Sequence, residues 1–139
     1  MALGKIFRLS IVALLMFMNF FVTSEAHAEI KIYEGIGEFF MSDETVDFAK
    51  EQAELEAQHH ILRKISVYIK SQSVMIDHEL DSDEIVAVSA GILHVVDTKF
   101  SMEPEENFIK IKSFVTAQID VDELKKLLEQ TIKDRISNE

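Results

Sequence analysis

An alanine repeat with a period of four residues constrains the fold of this chain more than any other feature. The repeat and its continuation comprise Ala49, Ala53, Ala57, Ile61 and Ile65. Residues four apart share one face of an α-helix, so the pattern predicts a helix from about Thr45 to about Tyr68. Ser42 and Asp43 are the residues expected to cap its start. A stripe of alanines allows a helix to lie close against a sheet.

A second series on the same helix has a period of seven residues. It consists of Phe48, Leu55, Leu62 and Ile69. A coiled coil needs three or four sustained heptads with charged flanks, and this series is shorter than that. We therefore interpret these side chains as core, with a partner-binding face as the alternative.

The segment before the helix predicts a strand over residues 29–40. Ile30, Ile32 and Ile36 alternate with charged or small residues, and a period of two is typical of strands. Gly35 and Gly37 have the other parity, where missing side chains permit a bend or the close approach of another element. A dinucleotide-binding loop would need a third glycine at position 40, which is Phe40.

The rest of the chain predicts further strands and two helices. A strand is expected over 67–76, with a continued helix at Tyr68 and Ile69 as the alternative. A polar turn and a short helix capped by Ser82 or Asp83 and ending near Gly91 follow. A hairpin is expected from strands 94–102 and 108–121, followed by a helix capped by Asp122. These elements predict an α+β fold, a two-layer sandwich in which one long helix, a short helix and a C-terminal helix pack on a small antiparallel-rich sheet.

The first 28 residues have the layout of a secretory signal peptide. Lys5 and Arg8 precede a 14-residue apolar run from Leu9 to Val22, and Ala28 ends a small-residue cleavage pattern. A helix that spans a bilayer needs about 20 apolar residues, so cleavage is favoured over an uncleaved anchor. We expect a cut at Ala28/Glu29, with Ala26 as the alternative site, and a single exported domain over 29–139 that is periplasmic or extracellular.

Charge and the lack of cysteine narrow the classes of partner. The predicted mature chain keeps 12 of the 14 Lys and Arg and 24 of the 25 Asp and Glu. This acidic balance repels phosphate backbones and anionic lipid, so we expect no nucleic-acid partner and no stable membrane insertion after cleavage. Without cysteine, the fold depends on core burial rather than disulfides, and lipid attachment is not expected.

An acidic turn contains the residues of the sequence that are candidate metal ligands. These are Asp77, Glu79, Asp81 and Asp83. A calcium loop that begins at Asp77 would need glycine at position 82 and glutamate at position 88, where the chain has Ser82 and Val88. A solvated turn that caps a short helix explains the same residues. His59 and His60 are neighbours on a helix and cannot easily share a metal, and His94 is expected to be partly buried.

No pattern of catalytic or cofactor-binding residues stands out. The chain has no nucleophile elbow, no phosphate-binding loop and no cysteine nucleophile. We therefore predict that the protein is not an enzyme and has no cofactor.

Several of these segments together resemble a known envelope family. The segments are Tyr33 to Glu38, the alanine-rich helix 49–65, Ser89 to Leu93, the strand that ends at Phe100, and the strand 109–121 with Leu124 after it. Their order and spacing resemble the N-terminal domain of the flagellar H-ring assembly protein T and related small envelope lipoproteins. The resemblance covers residues 30–124 and implies a non-catalytic envelope domain used in assembly and protein contacts.

Protein contact is thus the function that the sequence favours. The candidate partner surface comprises Phe39, Phe40, Met41, Leu124 and Leu128, although core packing is the simpler interpretation of these residues. The expected partner is an envelope protein or a second copy, bound by strand addition or helix docking. The alternative function is small-ligand or cation binding at the acidic turn.

Overall fold

A computed structural model describes residues 28–138. The predicted signal peptide therefore lies outside the described residues except for Ala28. In chain order the elements are β1 (Ile30–Met41), α1 (Val46–Gln72), α2 (Val74–Glu79), α3 (Ser82–Ala90), β2 (His94–Pro104), β3 (Ile109–Asp120) and α4 (Val121–Ser137). The α+β class is confirmed.

The three strands form one antiparallel sheet in the order β1-β3-β2. β2 and β3 form the predicted hairpin, and β3 is the central strand. Gly37 of β1 lies opposite Ser113 of β3, and Ile36 lies opposite Phe114. A bulge interrupts the β2–β3 pairing between Val95 and Asp97. Because β3 is central, β1 and β2 are both edge strands.

The long helix α1 packs on β1 and β3 through the alanine stripe. All five stripe residues are buried, as the four-residue period predicts. The cap is Thr45, whose side chain accepts a hydrogen bond from the amide of Phe48 at 3.3 Å, so the predicted caps Ser42 and Asp43 are wrong. The predicted core series is only half buried, because Phe48 and Leu55 are exposed while Leu62 and Ile69 are buried.

The glycines of β1 allow α1 to approach the sheet closely. A Cβ atom added to Gly35 would overlap the carbonyl oxygen of Ala57 and lie 2.7 Å from Cγ1 of Ile61. A Cβ atom added to Gly37 would overlap backbone atoms of Ala53 and Ala57. The two glycines and the alanine stripe therefore face each other, which confirms the close approach predicted for the glycine parity.

The strand predicted over 67–76 is wrong. α1 continues to Gln72, and the short helix α2 follows after Ser73, whose hydroxyl caps it by accepting from the amide of Ile76 at 3.3 Å. Ile69 and Ile76 are both fully buried. Burial of these two side chains against the core overrides the β-propensity of the segment.

Two predicted caps are displaced along the chain. α3 begins after Asp81, whose carboxylate accepts from the amide of Glu84 at 2.8 Å while Glu84 accepts from the amide of Asp81 at 2.9 Å. α4 is capped by Asp120, the last residue of β3, which accepts from the amides of Asp122 and Glu123. Asp122 therefore lies in the first turn of α4, where its charge still favours the helix N-terminus.

The core lies between the sheet, α1 and the three shorter helices. It includes Ile61, Ile65, Val115, Leu124 and Leu128, all nearly or fully buried. The assignment of Leu124 and Leu128 to a partner surface is therefore wrong. Among residues 28–138, no helix combines the length and the apolar character needed to cross a bilayer.

One buried hydroxyl makes no hydrogen bond. Ser113 is fully buried on the helix side of β3, and its Oγ has no partner among the described residues. An unpaired buried polar group costs about 1–3 kcal/mol. We therefore expect Ser113→Ala to raise the free energy of unfolding by about 1 kcal/mol, measured by urea denaturation.

Thr45→Ala is the control of opposite sign for this prediction. It removes the α1 cap and should lower the free energy of unfolding by about 1 kcal/mol. A loss of stability in Ser113→Ala as large as that in Thr45→Ala would show that the Ser113 hydroxyl has a favourable partner, and would contradict the prediction.

Candidate docking surface on the open face of the sheet

The sheet has one packed face and one open face. Odd-numbered residues of β1 and β3 face α1 and the core, and even-numbered residues face away. No helix covers the second face among the described residues, and we call it the open face. Its exposed large apolar side chains are Ile30, Ile32, Ile36, Phe40 and Phe114, and Phe108 lies at its edge.

Four of these apolar side chains lie together in two pairs on the open face. Ile36 lies directly opposite Phe114 in the β1–β3 register. Phe40 and Phe108 meet edge to face with ring centroids 5.2 Å apart. Ile32 remains 68% exposed and Phe40 53% exposed. The isoleucines of β1 are thus on the open face because the glycines occupy the face that α1 contacts.

A charged network crosses the open face between the pair Ile36–Phe114 and the pair Phe40–Phe108. Lys112 Nζ lies 3.7 Å from Glu38 and 3.1 Å from Glu103, and Lys110 Nζ lies 3.1 Å from Glu103. Hydrogen bonds from Lys110 and Lys112 lower the pKa of Glu103, and the bond to Glu103 raises the pKa of Lys110. These groups are accessible to water, so their pairing orients side chains more than it stabilises the fold.

The middle of the open face is concave. A depression of about 660 Å³ lies there, with Ile36 and Phe114 among its apolar lining. Its charged lining residues are Glu34, Arg63, Lys64, Asp97 and Lys99, and His60 lies beside them. Apolar side chains surrounded by charges of both signs are typical of a protein-contact surface.

Two side chains of α1 cover part of the outer edge of β1. His60 donates Nδ1–H to the carbonyl oxygen of Ile36 at 2.7 Å, and Lys64 donates to the carbonyl oxygen of Glu34 at 2.7 Å. His60 also contacts Glu56 at 3.0 Å. Covering edge carbonyls hinders strand addition at β1.

The predicted partner residues of β1 divide between core and surface. Met41 is 7% exposed and belongs to a small core cluster with Ala49, Ala53 and Ile111. Phe39 is half-buried against Phe48, with ring centroids 5.8 Å apart. Phe40 lies on the open face. The partner-surface prediction is therefore wrong for Met41, and for the exposed Phe40 it stays a prediction.

The weak metal candidates have separate structural roles. Asp77 contacts Lys70 at 3.6 Å, the backbone carbonyl of Glu79 accepts from Arg135 at 2.9 Å, and Asp81 caps α3. Asp83 lies in the first turn of α3. Within the described part of the chain, no three His, Asp or Glu side chains are grouped as metal ligands.

The remaining histidine prediction is wrong. His94 begins β2 opposite Gln118 and is exposed rather than partly buried. Its place at the end of an edge strand leaves its side chain without covering elements. His59 is also exposed, whereas its neighbour His60 contacts the edge of β1.

No protein-family model matches the sequence, and no curated protein matches it either. The resemblance to the flagellar H-ring assembly protein T therefore stays a prediction, and the open face must be interpreted from its own chemistry.

Proposed function

We propose that this is an exported, non-catalytic protein of the cell envelope that binds a partner protein through the open face of its sheet. The observation that carries the proposal is the row of exposed apolar side chains on that face, among them Ile32, Ile36 and Phe40. Scattered exposed apolar residues are ordinary, but several large apolar side chains on one uncovered sheet face, interspersed with charged pairs, are typical of a binding site.

The composition of the surface favours protein over other partners. Three phenylalanines and three isoleucines provide area that water solvates poorly, and aromatic side chains often carry much of the binding energy at interfaces. The chain's net charge of −11 disfavours nucleic acid and anionic lipid. The alternative function is cation binding at the acidic turn. Within residues 28–138, no group of three or more potential metal ligands supports it.

The role that follows from the family resemblance is assembly. The matching segments imply a module that holds envelope components together, and a surface or flagellar structure is the assembly we propose. Both the export and the assembly role rest on sequence: the signal-peptide pattern of residues 1–28 and the order of the segments over residues 30–124.

Site-specific photocross-linking in intact cells tests this proposal. A photoreactive residue at position 36 or 114 should give one discrete adduct with an envelope protein, because both positions lie in the middle of the open face. Adding Ile32→Glu should reduce the yield about tenfold or more, since it places a charge within the apolar contact. Ile32 is exposed, so this substitution should leave thermal unfolding nearly unchanged.

Lys126 on the outer side of α4 provides the matched control position. A photoreactive residue there should not give the same adduct. Equal adducts from positions 36 and 126, or none from positions 36 and 114, would contradict the proposed function.

A further inference from the structure

The outer edge of β2 differs from the outer edge of β1. Side chains of α1 bind the edge carbonyls of β1. On β2, α1 contacts only side chains among the described residues, Glu54 with Thr98 at 3.2 Å and Lys50 over the ring of Phe100, and the edge carbonyls have no such contact. Phe100 is 38% exposed and Met102 is 46% exposed on this strand. An uncovered edge of this kind can pair with another strand.

The register of the sheet identifies which backbone groups point outward. The carbonyls of Glu34 and Ile36 face the outer edge of β1, so these residues form non-hydrogen-bonded pairs with the even-numbered residues of β3 opposite them. The backbone N–H and C=O groups of those β3 residues therefore point the other way and form hydrogen bonds with β2. Lys99, Ser101 and Glu103 of β2 pair with those even residues. The alternate residues Phe100 and Met102 therefore direct their N–H and C=O groups towards the free edge.

We propose that two copies of this chain pair through β2, antiparallel and centred on Ser101, to form a continuous six-stranded sheet. In this register each Phe100 lies opposite Met102 of the second copy, so both apolar side chains gain cross-strand contacts. Each Lys99 lies opposite Glu103 of the second copy on the open face. Opposite charges in cross-strand positions stabilise strand pairing.

The other registers are less favourable. A pairing centred on Lys99 would place the lysines of the two copies opposite each other. A pairing centred on Phe100 would place Asp97 of one copy opposite Glu103 of the other. Centring on Thr98 pairs Asp97 with Lys99 but places the bulge at Val96 within the pairing, where the ladder is disrupted. Charge and the bulge thus select the Ser101-centred register among them.

Pro104 lies opposite Thr98 in this register and has no N–H to donate, so the hydrogen bonds between the two copies come from Phe100 and Met102. Outside the strand the molecule is compatible with this pairing. A two-fold axis perpendicular to the sheet keeps both α1 helices on one side, and each α1 is displaced towards β1, away from the paired edge. The net charge of −11 opposes association, but charges farther apart than about 8 Å are largely screened at physiological ionic strength. The pairs at the edge therefore decide the association. The pairing does not rest on the partner contact proposed above.

Disulfide formation tests the pairing directly, because the chain contains no cysteine. The two Ser101 residues face each other as a non-hydrogen-bonded pair, because each directs its backbone groups towards β3. The Cα atoms of such a pair are about 4.5 Å apart, which a disulfide can bridge. Full-length protein carrying Ser101→Cys, at about 100 μM and physiological salt, should oxidise to a covalent dimer. Glu106→Cys, in the exposed hairpin loop, measures random collision, and Ser101→Cys should exceed its dimer yield about tenfold.

Charge reversal tests the register. Lys99→Glu places a glutamate opposite Glu103 of the other copy at both ends of the pairing. The dissociation constant of the dimer, measured by sedimentation equilibrium, should rise about tenfold. Lys126→Glu makes the same charge change on α4 and should have little effect. Ile32→Glu should reduce the partner adduct about tenfold or more while leaving the Ser101→Cys dimer intact, which separates this pairing from the proposed function.

Three results would overturn the pairing. They are a monomer at about 100 μM with no preferential Ser101→Cys disulfide, preferential cross-linking by Thr98→Cys, and a dimer that Lys99→Glu leaves unchanged.

Discussion

Gly37→Ala is expected to lower the free energy of unfolding by about 2–3 kcal/mol. The added Cβ would overlap the carbonyl oxygen of Ala53 and the amide nitrogen of Ala57, and it would lie 3.0 Å from Cβ of Glu56. The overlapping atoms belong to the backbone of a helix, so they cannot move independently. Relief requires α1 to shift away from β1, which opens the core beside the alanine stripe. Urea denaturation measures the change.

Gly91→Ala is the matched control. Gly91 has helical dihedral angles, φ −70° and ψ −21°, and an added Cβ would lie no closer than 3.4 Å to Val88. This substitution should be neutral or stabilise the fold by up to about 1 kcal/mol, because alanine restricts the unfolded chain. Equal effects at positions 37 and 91 would show that α1 does not lie as close to β1 as the structure places it.

The close packing of helix on sheet could be predicted from sequence because both surfaces leave a local pattern. The alanines have helical spacing, and Gly35 and Gly37 have strand spacing. Each pattern reports the absence of side-chain volume on one face, and two such faces pack best against each other. The strict alternation of residues along β3 is also a local pattern, and it predicted a strand that pairs in a hairpin with the strand before it.

The segment after Tyr68 could not be predicted because its structure depends on distant residues. Its β-branched side chains favour a strand locally, but Ile69 and Ile76 reach the core only if the chain stays helical and turns at Ser73. Displaced caps have a similar origin. Asp120 caps α4 because β3 pairs to its last residue with β1, which is a long-range contact.

The candidate docking surface was only partly visible in the sequence. Phe40 stood out, but alternation along β1 does not tell which face is covered. The isoleucines are the more apolar parity and would ordinarily be assigned to the core. The isoleucines are nevertheless exposed, since α1 can approach β1 closely only on the face where Gly35 and Gly37 have no side chains. Strand order, which makes β2 an edge, likewise follows from pairing and not from local pattern.

Ile76→Ala is expected to lower the free energy of unfolding by about 2–5 kcal/mol. Ile76 is fully buried and joins the core cluster that contains Ile69, Leu80 and Leu128. It belongs to a helix of six residues, which is too short to be stable without tertiary contacts. Removing the side chain leaves a cavity and also withdraws the main contact that holds α2 in place. Denaturation monitored by circular dichroism measures the loss.

Neighbouring positions distinguish the observed helix from the predicted strand. Val74 is 74% exposed and Met75 is 47% exposed, so Val74→Ala should change stability by less than about 0.5 kcal/mol. A strand would place Val74 and Ile76 on the same face and make both substitutions costly. Comparable losses at positions 74 and 76 would therefore contradict helix α2, whereas a large loss at position 76 alone supports burial through a helical turn capped by Ser73.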